Sequence, residues 1–300
     1  MIASSRAFNR QYTMITSTKN KGLTMKQKIL FSMLLTITNF ALVYSTNKQE
    51  EPLEFVVVIT SYNNEKYCEK NLETIVTQEL ESPFEVIFIN DCSTDKTLQL
   101  VNNYINEHDI KPPVKIIDNK IRVGYSLENV YNTVHQCPDH KIIIQVDGDD
   151  YLVPGALARV EKEYKDKNTW LTYGQFRFYP SETIGFCTKF PQWVIQQNAF
   201  RKYFWITTHL KTYKAKLFKK IKKEDLLYKG QFYSMAADMA MMFPMLEMAS
   251  KGHIRFIPDV TYLYNHTNPI SNHNKDRNLQ FKLETSVRSK KPYTALESLE

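Results

Sequence analysis

Short apolar runs alternate with helix-like segments from Glu54 onward. The runs EFVVVITSY, FEVIFIND, VKIIDN and KIIIQVD are rich in β-branched residues, which is typical of strands buried on both faces. Between them lie three segments with helical spacing of apolar residues: EKYCEKNLETIVTQEL, DKTLQLVNNYINEH and SLENVYNTVHQC. This alternation predicts βαβ units, and therefore an α/β fold with a mostly parallel central sheet and helices on both faces.

The pattern changes after Pro154. Aromatic, strand-like WLTYGQFRFYP is followed by the lysine-rich KTYKAKLFKKIKK (Lys211–Lys223), by an Ala/Met-rich helix near MAADMAMMFPMLEMA, and by a late strand, IRFIPDVTYLY. We interpret the lysine-rich segment as a solvated helix face. Since no Gly/Ser linker or repeat interrupts the chain, residues 50–275 are expected to form one domain with two halves. Residues 276–300 are expected to be a polar, loosely held C-terminal tail.

Polar side chains follow three of the predicted strands. They are Thr60-Ser61-Tyr62, Asn90-Asp91 and Asp147-Gly148-Asp149, with Asp150 next in line. The carboxyl ends of parallel strands meet at one edge of a sheet, where ligands bind. Closely spaced carboxylates repel one another, so away from water they need a cation or hydrogen-bond donors. The alternative is an ordinary acidic Asp-Gly turn at the surface.

The positive charge lies mainly at the N-terminus. The formal net charge is +7, and residues 1–45 hold six Lys or Arg and no Asp or Glu, which leaves +1 (7 minus 6) for the rest. A nucleic-acid partner therefore loses its main support. The four cysteines, Cys68, Cys92, Cys137 and Cys187, show no metal-binding spacing and are interpreted as isolated thiols.

The segment Met25–Ser45, MKQKILFSMLLTITNFALVYS, has the features of a signal peptide or membrane anchor. It carries two lysines, then an apolar run from about Ile29, then Val43-Tyr44-Ser45, which resembles a cleavage site. Residues 1–24 would be an N-terminal extension, with either Met1 or Met25 as the start. We expect an exported or membrane-anchored protein, with its domain on the cytoplasmic face if the segment is an uncleaved anchor. A buried amphipathic helix is the alternative.

Seven motifs resemble those of the GT-A-fold glycosyltransferases of family 2. In order they are VVVITSYNNEKY, VIFINDCSTDKT, IRVGYSLENVY, IQVDGDDYLVPGAL, THLKTYKAKLF, AADMAMMFPMLEMA and YNHTNP, spanning roughly Phe55 to Asn272. The resemblance implies a nucleotide-diphospho-sugar donor, most often UDP-linked, and Mn²⁺ or Mg²⁺. It also implies an inverting transfer of the sugar to a hydroxyl of a saccharide, lipid or protein acceptor.

The same resemblance assigns residues to the donor side. The nucleotide-sugar set is Thr60, Tyr62, Asn63, Glu65, Asp91, Arg122, Gly124, Asn129 and Asp147. Chemically, Tyr62 offers a ring face for a base, and Arg122 a fork of donors for a diphosphate. Simpler interpretations remain for each residue: Tyr62 as core, Asp91 as an acid at a helix N-terminus, and Arg122, Gly124 and Asn129 as surface or turn residues.

The metal and catalytic assignments come from the resemblance as well. It makes Asp149 the direct metal ligand and Asp147 a contact to the ribose or to a metal-bound water. Asp238 is implied as the catalytic base, although Ala237 stands where a Glu often precedes the Asp, and His209 is placed near the active cleft. Asp238 could instead interact with a helix N-terminus, and His209 could be structural.

Two rival functions use related folds. A non-catalytic carbohydrate- or nucleotide-binding protein would be expected to lose the metal or base carboxylate, yet Asp149 and Asp238 are present. A nucleotidyltransferase needs a Gly-rich basic loop after the first strand, and SYNNEKYCEK contains no glycine.

Overall fold

A computed structural model describes residues 24–26, 53–270 and 276–299. The chain divides into two units, Met1–Glu51 and Pro52–Glu300. In the first unit only residues 24–26 are described, so the predicted leader lies almost wholly outside the described residues. Among the residues that are described, no helix combines the length and the apolar character needed to cross a bilayer.

A mixed eight-stranded sheet forms the centre of the second unit. Its strands are β1 (Phe55–Ser61), β2 (Phe84–Asn90), β3 (Val114–Asp118), β4 (Ile142–Asp147), β5 (Tyr151–Leu152), β6 (Leu171–Tyr179), β7 (Lys211–Lys214) and β10 (Ile254–Asn265). Their order is β3-β2-β1-β4-β7-β6-β10-β5. The β3-β2-β1-β4 block and the β6-β10 pair are parallel, while β7 and β5 run antiparallel to their neighbours. Two further strands, β8 (Leu227–Tyr228) and β9 (Gln231–Phe232), pair with each other.

Helices cover both faces of this sheet, as the sequence predicts. They are α1 (Cys68–Val76), α2 (Thr97–Glu107), α3 (Ser126–Gln136), α4 (Ala156–Tyr164), α5 (Gln192–Gln196), α6 (Ala215–Phe218), α7 (Ala237–Met248) and α8 (Arg277–Ser289). Alternate residues of β1 point to opposite faces: Phe55, Val57 and Ile59 pack with α1, α2 and α4, whereas Val56 and Val58 belong to the cluster containing α3, α7 and α8. The expected α/β fold is confirmed.

The strand register brings the polar strand ends together. Thr60 of β1 pairs with Asp147 of β4, and Ser61 pairs with Asn90 of β2. Since these strands are parallel and end at the same level, the side chains that follow them share one edge of the sheet. The second half of the chain reaches the same region through β7, which pairs with β4.

Two segments differ from their predicted structure. The lysine-rich segment is not one solvated helix face: it forms β7, then the short α6 and a 3-10 turn at Lys223–Leu226, and Lys211 is fully buried. The C-terminal region is not a loose tail. Residues 277–289 form α8, which buries Leu283 and Val287, and Leu296 beyond it donates a backbone hydrogen bond to Met248 of α7.

Candidate active site

The acidic loop after β4 is fixed tightly to the end of β1. The backbone N–H of Gly148 donates to the carbonyl of Thr60 at 3.0 Å. A Cβ atom at position 148 would lie 2.7 Å from the Ser61 side chain, so only glycine fits there. From α1, the Asn71 amide donates to the carbonyls of Asp147 (3.0 Å) and Asp150 (2.7 Å). These bonds set the direction in which the loop presents its carboxylates.

Asp150 anchors this loop from inside. Its two carboxylate oxygens accept hydrogen bonds from the Tyr262 hydroxyl and from the backbone N–H of Asn265, each at 2.7 Å. Burial, together with the nearby charges of Asp149 and Asp147, raises the pKa of Asp150 well above its ordinary value. Asp150 therefore connects the acidic loop to β10.

Asp147, Asp150 and His209 form a compact cluster of possible metal ligands. One ligand atom from each residue lies within 4.8 Å of the others. The His209 ring is stacked on Tyr262, with ring centres 4.4 Å apart, which holds the imidazole in place. Burial raises the pKa of Asp147 to about 6; Lys211 opposes this shift, and Asp238 and Asp149 add to it. A half-buried carboxylate and a buried one beside a buried imidazole fit a divalent cation, whose charge would offset their desolvation.

The cluster differs in membership from the predicted ligand pair. It contains Asp147 but not Asp149, whose carboxylate accepts a hydrogen bond from the Asn268 amide at 2.8 Å. It also brings in His209, which was expected near the cleft as a catalytic residue. Direct ligation by Asp149 stays a prediction.

Asp238 reaches this region from the second half of the chain. It lies in the first turn of α7, two residues after Ala236, whose backbone is left-handed (φ 56°), and its side chain is 35% exposed. Its Oδ1 accepts a hydrogen bond from Lys211 Nζ at 2.9 Å, and the Lys211 side chain is 1% exposed. Burial alone would lower the pKa of Lys211, but the charges of Asp238 and Asp147 outweigh it and raise the pKa. Carboxylates from both halves of the chain therefore interact with one buried ammonium group, that of Lys211.

Asp91 organises the loop between β3 and α3. It accepts three hydrogen bonds of 2.9 Å, from the Asn119 amide and from the backbone N–H groups of Val123 and Gly124. Burial pushes the pKa of Asp91 upward, but these bonds outweigh burial and leave the pKa below its ordinary value. Asn119 also donates to Asn129 Oδ1 at 2.9 Å. The structure thus unites Asp91, Gly124 and Asn129 from the predicted donor set.

Gly124 is explained by backbone conformation rather than crowding. Its φ is +81°, a region that side chains with a Cβ disfavour, and an added Cβ would meet nothing within 4 Å.

Tyr62 and Arg122 are stacked on each other. The guanidinium carbon of Arg122 lies 3.5 Å from the centre of the Tyr62 ring. Asn63 and Glu65, in contrast, join the loop after β1 to the loop after β2: the Asn63 N–H donates to Ser93 Oγ, and a Glu65 carboxylate oxygen accepts from the Lys96 N–H. Contacts of these four residues with a nucleotide stay predictions.

Four polar residues of this site were missed from the sequence: Asn71, Asn119, Lys211 and Asn268. Asn71 and Asn119 are single amides without a local pattern, whereas Asn268 lies in the motif YNHTNP but was given no role there. The bonds of these three amides to Asp91, Asp147 and Asp149 join residues 28 to 119 positions apart in the chain. Lys211 did have a signal, because it follows the histidine of the motif THLKTYKAKLF by two positions. The surrounding lysines concealed it.

Comparisons with known proteins agree with this geometry. The family model described as glycosyl transferase family 2 matches residues 56–233, more than half of the chain. A curated relative, the poly(ribitol-phosphate) β-N-acetylglucosaminyltransferase TarS of Staphylococcus aureus, is 29% identical over 119 residues, which is 38% of this chain and 20% of that protein. The chain thus matches only a fifth of that relative's length.

Two solved structures share the fold. TarS residues 1–349 of Staphylococcus aureus in complex with UDP gives a TM-score of 0.54 at 18% identity, covering 79% of this chain and 64% of that one. A mannosyltransferase from Pyrobaculum calidifontis in complex with GDP-Man and Mn²⁺ gives 0.50 at 17% identity, covering 87% and 76%. With the matched motifs on one sheet edge and the family model covering most of the domain, the chain belongs to glycosyl transferase family 2.

Proposed function

We propose that this protein is a metal-dependent, inverting glycosyltransferase that takes its sugar from a UDP-linked donor. The observation that carries the proposal is that carboxylates from the two halves of the chain converge on one buried lysine, Lys211. Asp147, at the end of a nucleotide-side strand, and Asp238, at the start of α7, both interact electrostatically with the buried Lys211. A transferase needs this arrangement, because the leaving nucleotide and the attacking hydroxyl lie on opposite sides of the anomeric carbon.

The donor side has the groups that a nucleoside diphosphate requires. Tyr62 and Arg122 supply an aromatic face and a guanidinium fork. The Asp91 carboxylate is ionised at neutral pH, because its pKa lies below the ordinary value, so it can accept from the N–H of uracil. The TarS structure in complex with UDP supports uracil as the base. The mannosyltransferase in complex with GDP-Man makes a guanine donor the alternative to exclude.

Asp147 and His209, two members of the cluster, are the residues that we expect to hold Mn²⁺ or Mg²⁺, together with Asp149, the ligand predicted from the sequence. When bound, the cation neutralises the diphosphate and makes it a better leaving group. The remaining work falls to the protein's own side chains. Asp150, Asn71 and Gly148 keep the acidic loop rigid, so that Asp147 needs no rearrangement when donor binds.

Asp238 is proposed as the general base. Its side chain is partly exposed, so an acceptor can reach it, and it lies in the first turn of α7. In the reaction it takes the proton from the acceptor hydroxyl as the oxygen attacks the anomeric carbon. The acceptor class is open; the name of the TarS relative makes poly(ribitol phosphate) a first polymer to test, beside simple saccharides.

Nucleotide release from a donor panel tests the proposal. The purified protein is given UDP- and GDP-sugars with Mn²⁺, with Mg²⁺ or with a chelator, in the presence of mixed acceptors. We expect UDP release from one or a few UDP-sugars and a loss of release on chelation. Release of GDP alone would overturn the assignment of uracil as the nucleobase of the donor. Release of pyrophosphate would make the protein a nucleotidyltransferase. Cation-dependent UDP binding without any turnover would favour the non-catalytic rival.

A further inference from the structure

Lys211 is a buried cation that contacts Asp238 and interacts electrostatically with the acidic loop. It begins β7, where it pairs with the buried Gln145 of β4, and its side chain is 1% exposed. Isolated buried charges are costly, because the protein interior solvates an ammonium group much less well than water. A methionine of similar length would fill the same space without this cost. The presence of a lysine therefore calls for an explanation through its partners.

The partners of Lys211 are carboxylates from two parts of the fold. Asp238 of α7 accepts its hydrogen bond, and Asp147 and Asp150 on the acidic loop act on it through their charge. Within residues 53–270 and 276–299, this is the one hydrogen bond that the Asp238 side chain makes, and it uses Oδ1. The second oxygen, Oδ2, is thereby left for an acceptor hydroxyl.

We propose that Lys211 is a positioning residue for the base: it fixes the rotamer of Asp238 through Oδ1 and directs Oδ2 towards the acceptor. The inference rests on the proposed function, since it requires Asp238 to be the base. Because the Lys211 side chain is buried, it is held in one conformation, and it therefore holds the Asp238 carboxylate in one orientation. A general base needs such a fixed orientation in order to act on a bound hydroxyl.

A matched pair of substitutions tests this role. Lys211→Met removes the ammonium group, and Lys214→Met makes the same change on the same strand, where the ammonium donates to the Lys167 carbonyl instead. Loss of a hydrogen bond to a charged group corresponds to about 10- to 100-fold, so kcat for sugar transfer should fall by that factor in Lys211→Met. UDP affinity and the donor KM should stay within about threefold of the wild type. Lys214→Met should match the wild type in all three.

A double-mutant cycle separates positioning from an independent role. If Lys211 acts through Asp238, adding Lys211→Met to Asp238→Asn should lower kcat by less than about threefold further. Lys211→Arg, which keeps the charge and donors, should recover part of the lost rate. If Lys211→Met does not fold, as judged by circular dichroism, Lys211→Gln replaces it in the same comparison.

Three results would overturn the inference. They are a wild-type kcat in Lys211→Met or Lys211→Gln, a loss confined to UDP affinity, and full additivity with Asp238→Asn. The second would make Lys211 a donor-binding residue. Failure of the proposed function looks different, because then the wild-type protein itself releases no UDP from any donor.

Discussion

At the scale of single residues, the polar side chains of the site are positioned by hydrogen bonds to one another and to nearby backbone groups. Asp91 shows this most clearly, since three donors from the 119–124 loop converge on its carboxylate. The same carboxylate is the proposed acceptor for the base of the donor. Loss of the Asp91 carboxylate should therefore affect both the stability of the loop and the affinity for the nucleotide.

We expect Asp91→Asn to weaken UDP binding at least about tenfold. It should also lower the free energy of unfolding by about 1–3 kcal/mol at pH 7, because an amide cannot accept all three hydrogen bonds. The pKa of Asp91 is lowered in the folded protein, so its contribution is present above the ordinary Asp value and disappears as pH falls through the lower folded value. The stability difference from the wild type should thus narrow below about pH 4. Urea unfolding at several pH values and calorimetry of UDP measure the two effects.

Asp109→Asn is the matched control, because Asp109 is exposed on the loop after α2. It should change neither quantity by more than about 0.5 kcal/mol. An Asp91→Asn protein with wild-type UDP affinity would contradict the assignment of Asp91 to the donor site.

Residue by residue, the sequence predicted the carboxylates better than the amides. Asp91, Asp147 and Asp149 follow apolar strands directly, so the strand pattern alone places them at the sheet edge. Asn71 and Asn119 have no such signal, because their contacts are long-range. Lys211 was missed because the many lysines of residues 211–223 indicate a solvated segment as a whole. They do not show that its first residue, Lys211, is buried.

At the scale of secondary-structure elements, the alternating pattern predicted β1 to β4 and their helices, together with α7 and β10. The prediction failed where pairing is non-local. β7 has four residues, and its structure comes from antiparallel pairing with β4 and β6 rather than from its own sequence. In α8 the spacing of Leu283 and Val287 by four residues was a helical signal that the surrounding polar residues obscured.

A buried ion pair fastens α8 to the rest of the domain. Arg201 forms a two-point pair with Glu247 of α7, at 2.6 and 3.0 Å, and also donates to the Val287 carbonyl of α8. The two side chains are 5% and 0% exposed, and the backbone N–H of Tyr293 donates to Glu247 as well. The Arg201–Glu247 ion pair therefore stabilises the C-terminal end of α7, the helix whose first turn carries Asp238.

Arg201→Met should lower the free energy of unfolding by about 3–5 kcal/mol, since it leaves the Glu247 carboxylate buried without its cation. Thermal or urea unfolding measures the change. Lys165→Met is the control: it breaks the pair with Glu81, whose side chains are 53% and 80% exposed, and should leave the free energy of unfolding unchanged within the error of the measurement. Equal losses in the two variants would show that the Arg201–Glu247 ion pair contributes no more than a surface pair.

At the scale of the whole molecule, the predicted N-terminal segment and the proposed use of a nucleotide sugar together constrain where in the cell the protein can act. Nucleotide sugars are made in the cytosol, so an anchored enzyme must face it, and an exported one needs a compartment that imports donor. We expect residues 25–45 to direct the protein to a membrane or a secretory route. Cell fractionation with N-terminal sequencing should find membrane-bound or processed protein, and Leu35→Arg, which interrupts the apolar run, should shift it to the cytosol. A wild-type protein that is cytosolic and unprocessed would refute this expectation.

In the proposed reaction the whole domain acts as one unit, because the proposed donor-binding residues lie in the first half of the chain and the proposed base, Asp238, in the second. The most direct measurement compares the wild type with Asp238→Asn in UDP release with acceptor present, alongside calorimetry of UDP with Mn²⁺. General base catalysis contributes about 10²–10⁴-fold, so turnover should fall by that factor while UDP affinity stays within about threefold. Sugar transfer by Asp238→Asn at close to the wild-type rate would contradict the account, since the base would then lie elsewhere.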